Sequence, residues 1–145
     1  MNQNAYLRIL DANFNRAREG LRVCEEITRL AMNDAALTRV LKKTRHSISR
    51  TLKNFPVPAS KLIEARDVEG DIGKKPSALE HTRRDTKTIF IANIQRVKES
   101  LRVLEEISQL MHLKGSVHFK KIRFSVYGIE KKAFPKLGKC SGKKY

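Results

Sequence analysis

Apolar residues return along this chain at intervals of three and four, the period that gives a helix one buried face. The first such run extends from about Asn4 to Met32. On a wheel drawn at about 100° per residue, it places Ile9, Ala12, Gly20, Val23, Ile27 and Leu30 on one side. A second run, with Asp34 as its cap, carries Leu37, Val40, Leu41, Thr44, Ile48 and Leu52. It stops near Phe55, ahead of Pro56 and Pro58, because a residue before proline is pushed out of the helical region. Residues 56–76 have no period and read as irregular. A third run opens at Ser77, where Glu80 completes a capping-box pattern, and extends unbroken to about Leu113, with Gly115 to end it. The fourth starts at Ser116, buries Phe119, Ile122, Val126, Ile129 and Ala133, and stops at Pro135.

The order long helix, short helix, loop, long helix, short helix predicts an all-α helical bundle. The first long run reads "NFNRAREGLRVCEEI" from Asn13, and the third reads "NIQRVKESLRVLEEI" from Asn93, eighty positions later. The shorter runs also align: "LKKTRHSI" from Leu41 matches "FKKIRFSV" from Phe119, setting Arg45 against Arg123. The expected architecture is a duplicated helical hairpin with two long helices and an internal pseudo-twofold axis. Residues 1–134 form its single domain, and 135–145 form a basic tail.

The repeat carries polar residues where the wheel is apolar. Asn13 and Arg16 fall inside the first apolar face, and Asn93 and Arg96 inside the second. A buried guanidinium without a partner is very costly. The structural partner would be Glu19 or Glu99 at i+3, or carbonyls of a facing helix. The functional partner would be a phosphate, which arginine grips through two parallel N–H groups. Sequence geometry leaves both open.

A second concentration of chemistry is "ARDVEGDIGKK", Ala65 to Lys75. Glycines let backbone amides approach an anion and lysines neutralise it, which makes Gly73 a phosphate-binding candidate. Carboxylates such as Asp67 and Asp71 hold magnesium or accept a hydroxyl proton. The spacing is not that of the phosphate-loop nucleotide motif, and a polar surface loop gives the same composition. The four histidines, His46, His81, His112 and His118, show no metal-ligand spacing.

Composition narrows the partners. The 145 residues include 31 Lys and Arg against 15 Asp and Glu, a formal charge of +16. An anionic partner is therefore expected: a phosphorylated small molecule, nucleic acid or a membrane surface. Half of the excess lies in residues 120–145, and a basic end is often a solvated tail. The chain has few aromatic residues for stacking on bases, which argues against nucleic acid. No run of about eighteen apolar residues exists to span a membrane, and the N-terminus lacks the layout of a secretory signal. Cys24 and Cys140 form no metal or redox spacing, so a cytoplasmic protein without disulfides is expected. A homo-oligomer stays open.

Together "RILDANFNRAREGLRVCEEI", "ARDVEGDIG", "ANIQRVKESLRVLEEI" and "IRFSVYGIEK" resemble the small helical domain often fused ahead of thiamin-phosphate synthase. That family is identified as an alternative hydroxymethylpyrimidine-phosphate kinase. The resemblance covers about residues 5–132, in order. It implies ATP-dependent phosphorylation of 4-amino-5-hydroxymethyl-2-methylpyrimidine phosphate to its diphosphate, with Mg²⁺, and no synthase domain on a chain that stops at Tyr145. The family's Arg-Asp…Asp-Val-Gly loop is matched by Arg66, Asp67, Asp71, Ile72 and Gly73, with Ile in place of Val. The second long run departs more, with Lys98 and Ser100 where the family often has Gln and Ala. On this reading Arg16, Arg96 and Arg66 clamp phosphates, and Asp67 and Asp71 hold Mg²⁺ or orient the substrate hydroxyl. Asn13 and Asn93 donate to phosphate or read the aminopyrimidine edge. The two Asn/Arg pairs would then build one site from two halves. The alternative is a non-catalytic helical module that binds nucleic acid or senses a pyrimidine phosphate.

Overall fold

The structure, a computed structural model, describes residues 2–75 and 83–140. Among these no strand is present. Helix α1 (Gln3–Glu26) runs on into a π-helical turn (Ile27–Ala31). It is followed by α2 (Ala35–Lys53), a short α3 (Ala59–Glu64), a 3₁₀ turn (Ile72–Lys74), α4 (Thr86–Leu110) and α5 (Ser116–Cys140). None of the described helices is long and apolar enough to cross a membrane.

Several boundaries follow the sequence and others do not. Asp34 caps α2, accepting a 2.9 Å hydrogen bond from the Leu37 N–H. The region after Phe55 is not wholly irregular, since Leu62 and Ala65 turn one side of α3 into the core. The expected opening at Ser77 and Glu80 lies outside the described residues. The third long helix does not run unbroken from there, because residues 83–85 are not helical. Asp85 starts α4 instead, accepting from the Thr88 N–H and hydroxyl at 2.7 Å each. Pro135 does not end the last helix; it lies inside α5. A proline costs a helix interior about 3 kcal/mol, yet Ala133 and Leu137 on either side of it are buried. Lys136 also pairs with Asp34 across the bundle. Tertiary contact carries the helix over the missing hydrogen bond, and Leu137 belongs to the core rather than to a solvated tail.

Each long helix packs on two others in a closed ring: α1 on α2 and α4, and α5 on α2 and α4. Neighbours run antiparallel. Glu25 meets Arg45 and Phe14 meets Phe55 across α1 and the α2 end, while Cys24 meets Phe90 and Gly20 meets Asn93 across α1 and α4. Lys98 meets Glu130 and Glu105 meets Arg123 across α4 and α5. Phe14, Phe55 and Phe119 stack edge to face, with centroids 5.4 to 6.0 Å apart. They lock α1, the end of α2 and the start of α5 together.

The buried stripe of α1 is Leu10, Phe14, Ala17, Leu21 and Cys24, about one residue around the wheel from the expected one. Gly20 belongs to both faces and is the point of closest approach to α4. A Cβ there would sit 2.7 Å from Val97 Cγ2 and 2.9 Å from the Asn93 carbonyl oxygen. Backbone cannot give way as a side-chain tip can, so the glycine sets how closely α1 and α4 approach. Ser100 of α4, one of the family departures, is buried, and Lys98, the other, pairs with Glu130 at 2.8 Å.

The buried charges fall into a repeated pattern. Glu25 accepts from Arg45 Nε at 2.8 Å and from Arg22 at 3.2 Å. Glu105 lies within 2.9 Å of Arg123 and 3.5 Å of Arg102. Both carboxylates are 3% exposed, so each ties one helix to the next long helix in the chain. The second of these, α5, is as long as α4 at 25 residues and not the short helix expected, because it continues through Pro135. The helix ends repeat as well: Asn33 and His112 both adopt a φ of 53°, the left-handed turn that closes a helix.

Two outcomes test this packing. Gly20→Ala should lose about 1–2 kcal/mol net, because the Asn93 contact outweighs the about 1 kcal/mol alanine gains in a helix. The denaturant midpoint should fall with an unchanged slope; an unmoved midpoint would remove Gly20 as the spacer. For Glu25, burial pushes the carboxyl up, but the Arg45 hydrogen bond and charge, with Arg22 and Lys42, bring it below its ordinary value. A group depressed in the folded state stabilises above its unfolded pKa and stops doing so as pH falls through the folded value. Stability should therefore drop as pH descends below about 4. Glu25→Gln should cost about 3 kcal/mol at neutral pH and flatten that acid limb; an identical acid limb in the variant would assign it to other groups.

Candidate functional site

After α3, the chain turns back over the first half of α1 and encloses a cleft of about 640 Å³. The placement has one anchor. Arg66 donates from Nε and Nη2 to the two oxygens of Asp11, at 2.7 and 2.8 Å. Asp11 is buried in α1, and its hydrogen bonds hold the Arg66 guanidinium above its ordinary pKa. The loop beyond keeps its own shape. Asp67 Oδ1 accepts from the Gly70 N–H, and Asp71 Oδ1 from the Gly73 N–H, each at 2.8 Å. Asp71 thereby caps the 3₁₀ turn. Such short-range bonds from an aspartate to an amide two residues on, as at Asp71, or three residues on, as at Asp67, are what side-chain-capped turns supply.

Five of the eight sequence candidates line this cleft: Asn13, Arg16, Arg66, Asp67 and Asp71. Gly73 does not line it, and its amide is taken by Asp71, so it offers no N–H to an anion there. Asn93 and Arg96 do not line it either. Asn93 lies level with Gly20 of α1, seven residues or roughly 10 Å along the axis from Asn13. The two pairs therefore do not converge. The asparagines share a local role instead: Asn13 Nδ2 donates to the Ile9 carbonyl at 2.8 Å, and Asn93 Nδ2 to the Ile89 carbonyl at 2.9 Å.

Arg16 and Arg96 are exposed, contrary to their expected burial, because rotation of the buried stripe carries position 16 to the cleft side. Neither pairs with Glu19 or Glu99, and neither has an ion-pair partner among the described residues. Arg16 thus stands at the cleft with its donors uncommitted. Arg8 and Lys74 join it. Arg8 reaches Asp67 at 3.8 Å, and Lys74 pairs with Glu69 at 3.1 Å. Ile9, Ala12 and Val68 supply apolar wall.

Sequence reasoning missed Asp11 and Arg8. The signal was available in "RILDANFNR": an Asp inside an otherwise well-patterned helix, three residues after an Arg and four before an Asn. That places all three on one flank.

Among the described residues no three His, Cys, Asp or Glu side chains gather to hold a metal. Asp71 keeps one oxygen beyond the turn bond, and the second oxygen of Asp67 is shared with Arg8 at 3.8 Å. Magnesium is usually held by one or two carboxylates together with substrate phosphates, and this donor pair fits that mode rather than an all-protein cage.

Comparison with known proteins adds a family. The ThiD2 family model matches residues 8–132. The thiamine-phosphate synthase of Synechocystis sp. is 38% identical over 143 residues, covering 94% of this chain and 40% of that protein. That of Rhodopirellula baltica is 38% identical over 122 residues, covering 83% and 32%. That of Thermosynechococcus vestitus is 41% identical over 127 residues, covering 85% and 34%. The chain spans two-fifths or less of the length of these relatives. No solved structure matches it.

Asp11→Asn should loosen the loop without unfolding the bundle. Amide exchange at 66–74 should accelerate while global stability falls by only about 1 kcal/mol. Unchanged protection at Asp67 to Lys74 would show that the loop's own turns suffice to place it.

Proposed function

The chain belongs to the ThiD2 family, and on that premise we propose that it transfers the γ-phosphoryl group of ATP to hydroxymethylpyrimidine phosphate, giving the diphosphate. Involvement in thiamin biosynthesis is supported by the relatives' names. The observation that carries the kinase reading is the cleft itself, where the uncommitted Arg16 stands beside Arg8 and Lys74 and faces two turn-held carboxylates.

The chemistry corrects one sequence expectation. The acceptor in a monophosphate-to-diphosphate step is a phosphate oxygen, not a hydroxyl. Its second ionisation lies near pH 6, so it reaches the cleft already deprotonated and needs no base. The bond formed joins this oxygen to the γ-phosphorus; the bond broken joins that phosphorus to the β-phosphate oxygen, and ADP leaves. The obstacle is repulsion between two anions, and the protein's task is to position and neutralise them. Arg16 grips the acceptor phosphate through its planar fork, and Arg8 and Lys74 add charge. Arg66, two of whose donors are spent on Asp11, chiefly positions the loop. Asn13, with its Nδ2 already bonded within α1, presents its remaining amide functions to the pyrimidine edge, while the ring covers Ile9, Ala12 and Val68. Asp67 and Asp71 are the groups that would hold magnesium, which neutralises charge on the transferred phosphoryl.

We further infer that the halves are copies of one hairpin, from the recurrence of the Glu–Arg ties, the Asn back-bonds and the left-handed helix ends. The Asn93/Arg96 pair then persists as part of that repeat, outside the site.

Consumption of ATP dependent on both hydroxymethylpyrimidine phosphate and Mg²⁺, with a diphosphate product by phosphorus NMR, tests the activity. Arg16→Met should cut turnover by about a hundredfold or more and shift stability by no more than about 0.5 kcal/mol. Arg96→Met should keep most activity. Equal losses in both variants would return the site to the two-half arrangement, and no ATP consumption by a folded wild-type protein would remove the kinase reading.

A further inference from the structure

A second cleft, of about 480 Å³, opens between the end of α2 and the start of α5. It lies on the other side of the Phe14–Phe55–Phe119 cluster from the first, at the same end of the bundle. Its charge is different in kind. Arg50, Lys114 and Lys121 line it with His118, and no Asp or Glu does. Among the described residues none of the three permanent cations has an ion-pair partner. Arg50 makes one hydrogen bond, from Nη2 to the Ser47 hydroxyl at 3.1 Å, which leaves most of its fork uncommitted. The floor is apolar: Phe55 and Ile122 reach the cleft from the core edge, 7% and 9% exposed.

Cations converging on a concavity with low-dielectric walls raise the local positive potential and draw in an anion. A guanidinium fork with two ammonium groups suits the several oxygens of a phosphate better than a single carboxylate. An apolar floor beneath them gives a flat ring something to cover. We propose that this cleft binds a phosphate ester carried on a flat organic ring, with Arg50 and Lys121 on the phosphate and Phe55 and Ile122 beneath the ring. It is separate from the α1 cleft and does not depend on the kinase reading.

The test uses the full chain carrying Arg16→Met, so that the α1 cleft does not contribute, at about 0.15 M salt to suppress loose ion pairing. AMP is the probe, with adenosine and inorganic sulfate as controls. AMP should shift the NMR signals of Phe55, His118 and Lys121 and bind saturably, while adenosine and sulfate bind at least about tenfold more weakly. Arg50→Gln and Lys121→Gln, both at exposed positions, should each weaken AMP by about tenfold with unchanged melting. The proposal is overturned if AMP leaves these signals unmoved, if sulfate or adenosine binds as well as AMP, or if neither variant weakens it. Much tighter binding of a single-stranded oligonucleotide through the same residues would also overturn it, making the cleft part of a strand-binding surface.

Discussion

Two parallel hydrogen bonds from Arg66 to Asp11 place the loop that makes the α1 cleft. The loop from Asp67 to Lys74 is exposed throughout, so hydrophobic burial cannot hold it. Its internal bonds, Gly70 to Asp67 and Gly73 to Asp71, fix a shape but not a position. Leu62 and Ala65 bring the chain to the flank of α1, and the charge-assisted pair then holds the loop whose two carboxylates line the same cleft as Arg16. A bidentate pair suits this task because it fixes orientation as well as distance. Asp11 is buried and Arg66 is not, so most of the desolvation cost falls on one partner, and the loop end keeps donors for other use.

The second copy of the motif lacks this anchor. Eighty residues after Asp11 stands Ile91, so that flank of α4 has no carboxylate to anchor a loop. Asn93 repeats the helix back-bond of Asn13 and Arg96 repeats the exposure of Arg16, but neither acquires the neighbours that make a site.

Much of the helical layout was legible because apolar period and caps are local signals. The stripe of α5 appeared as expected, that of α2 held at Leu37, Leu41, Thr44 and Ile48 while Val40 is exposed, and Asp34 was readable as a cap. The wheel of α1 was misread by about one residue because orientation depends on the facing helix, and Gly20 acts only through its contact with Asn93 and Val97. Pro135 misled because its local penalty is offset by tertiary contacts at Ala133, Lys136 and Leu137. Of the residues that line the cleft, the loop carboxylates were named from composition and spacing, and Arg16 was named on an apolar face yet is exposed. Asp11 could be noticed from its helix flank, but its partner could not, because Arg66 lies fifty-five residues away. The glycine amides looked available because sequence does not reveal that the neighbouring aspartates have already taken them.

The central claim is that the substrate phosphate rests between the first half of α1 and the Asp67–Lys74 loop. Titrating isotope-labelled protein with hydroxymethylpyrimidine phosphate, without nucleotide, and following each backbone amide by NMR tests it directly. The account predicts saturable shifts at Asn13, Arg16, Asp67, Asp71 and Lys74, with Asn93 and Arg96 unmoved. Shifts centred on Asn93 and Arg96, with α1 and the loop silent, would contradict it.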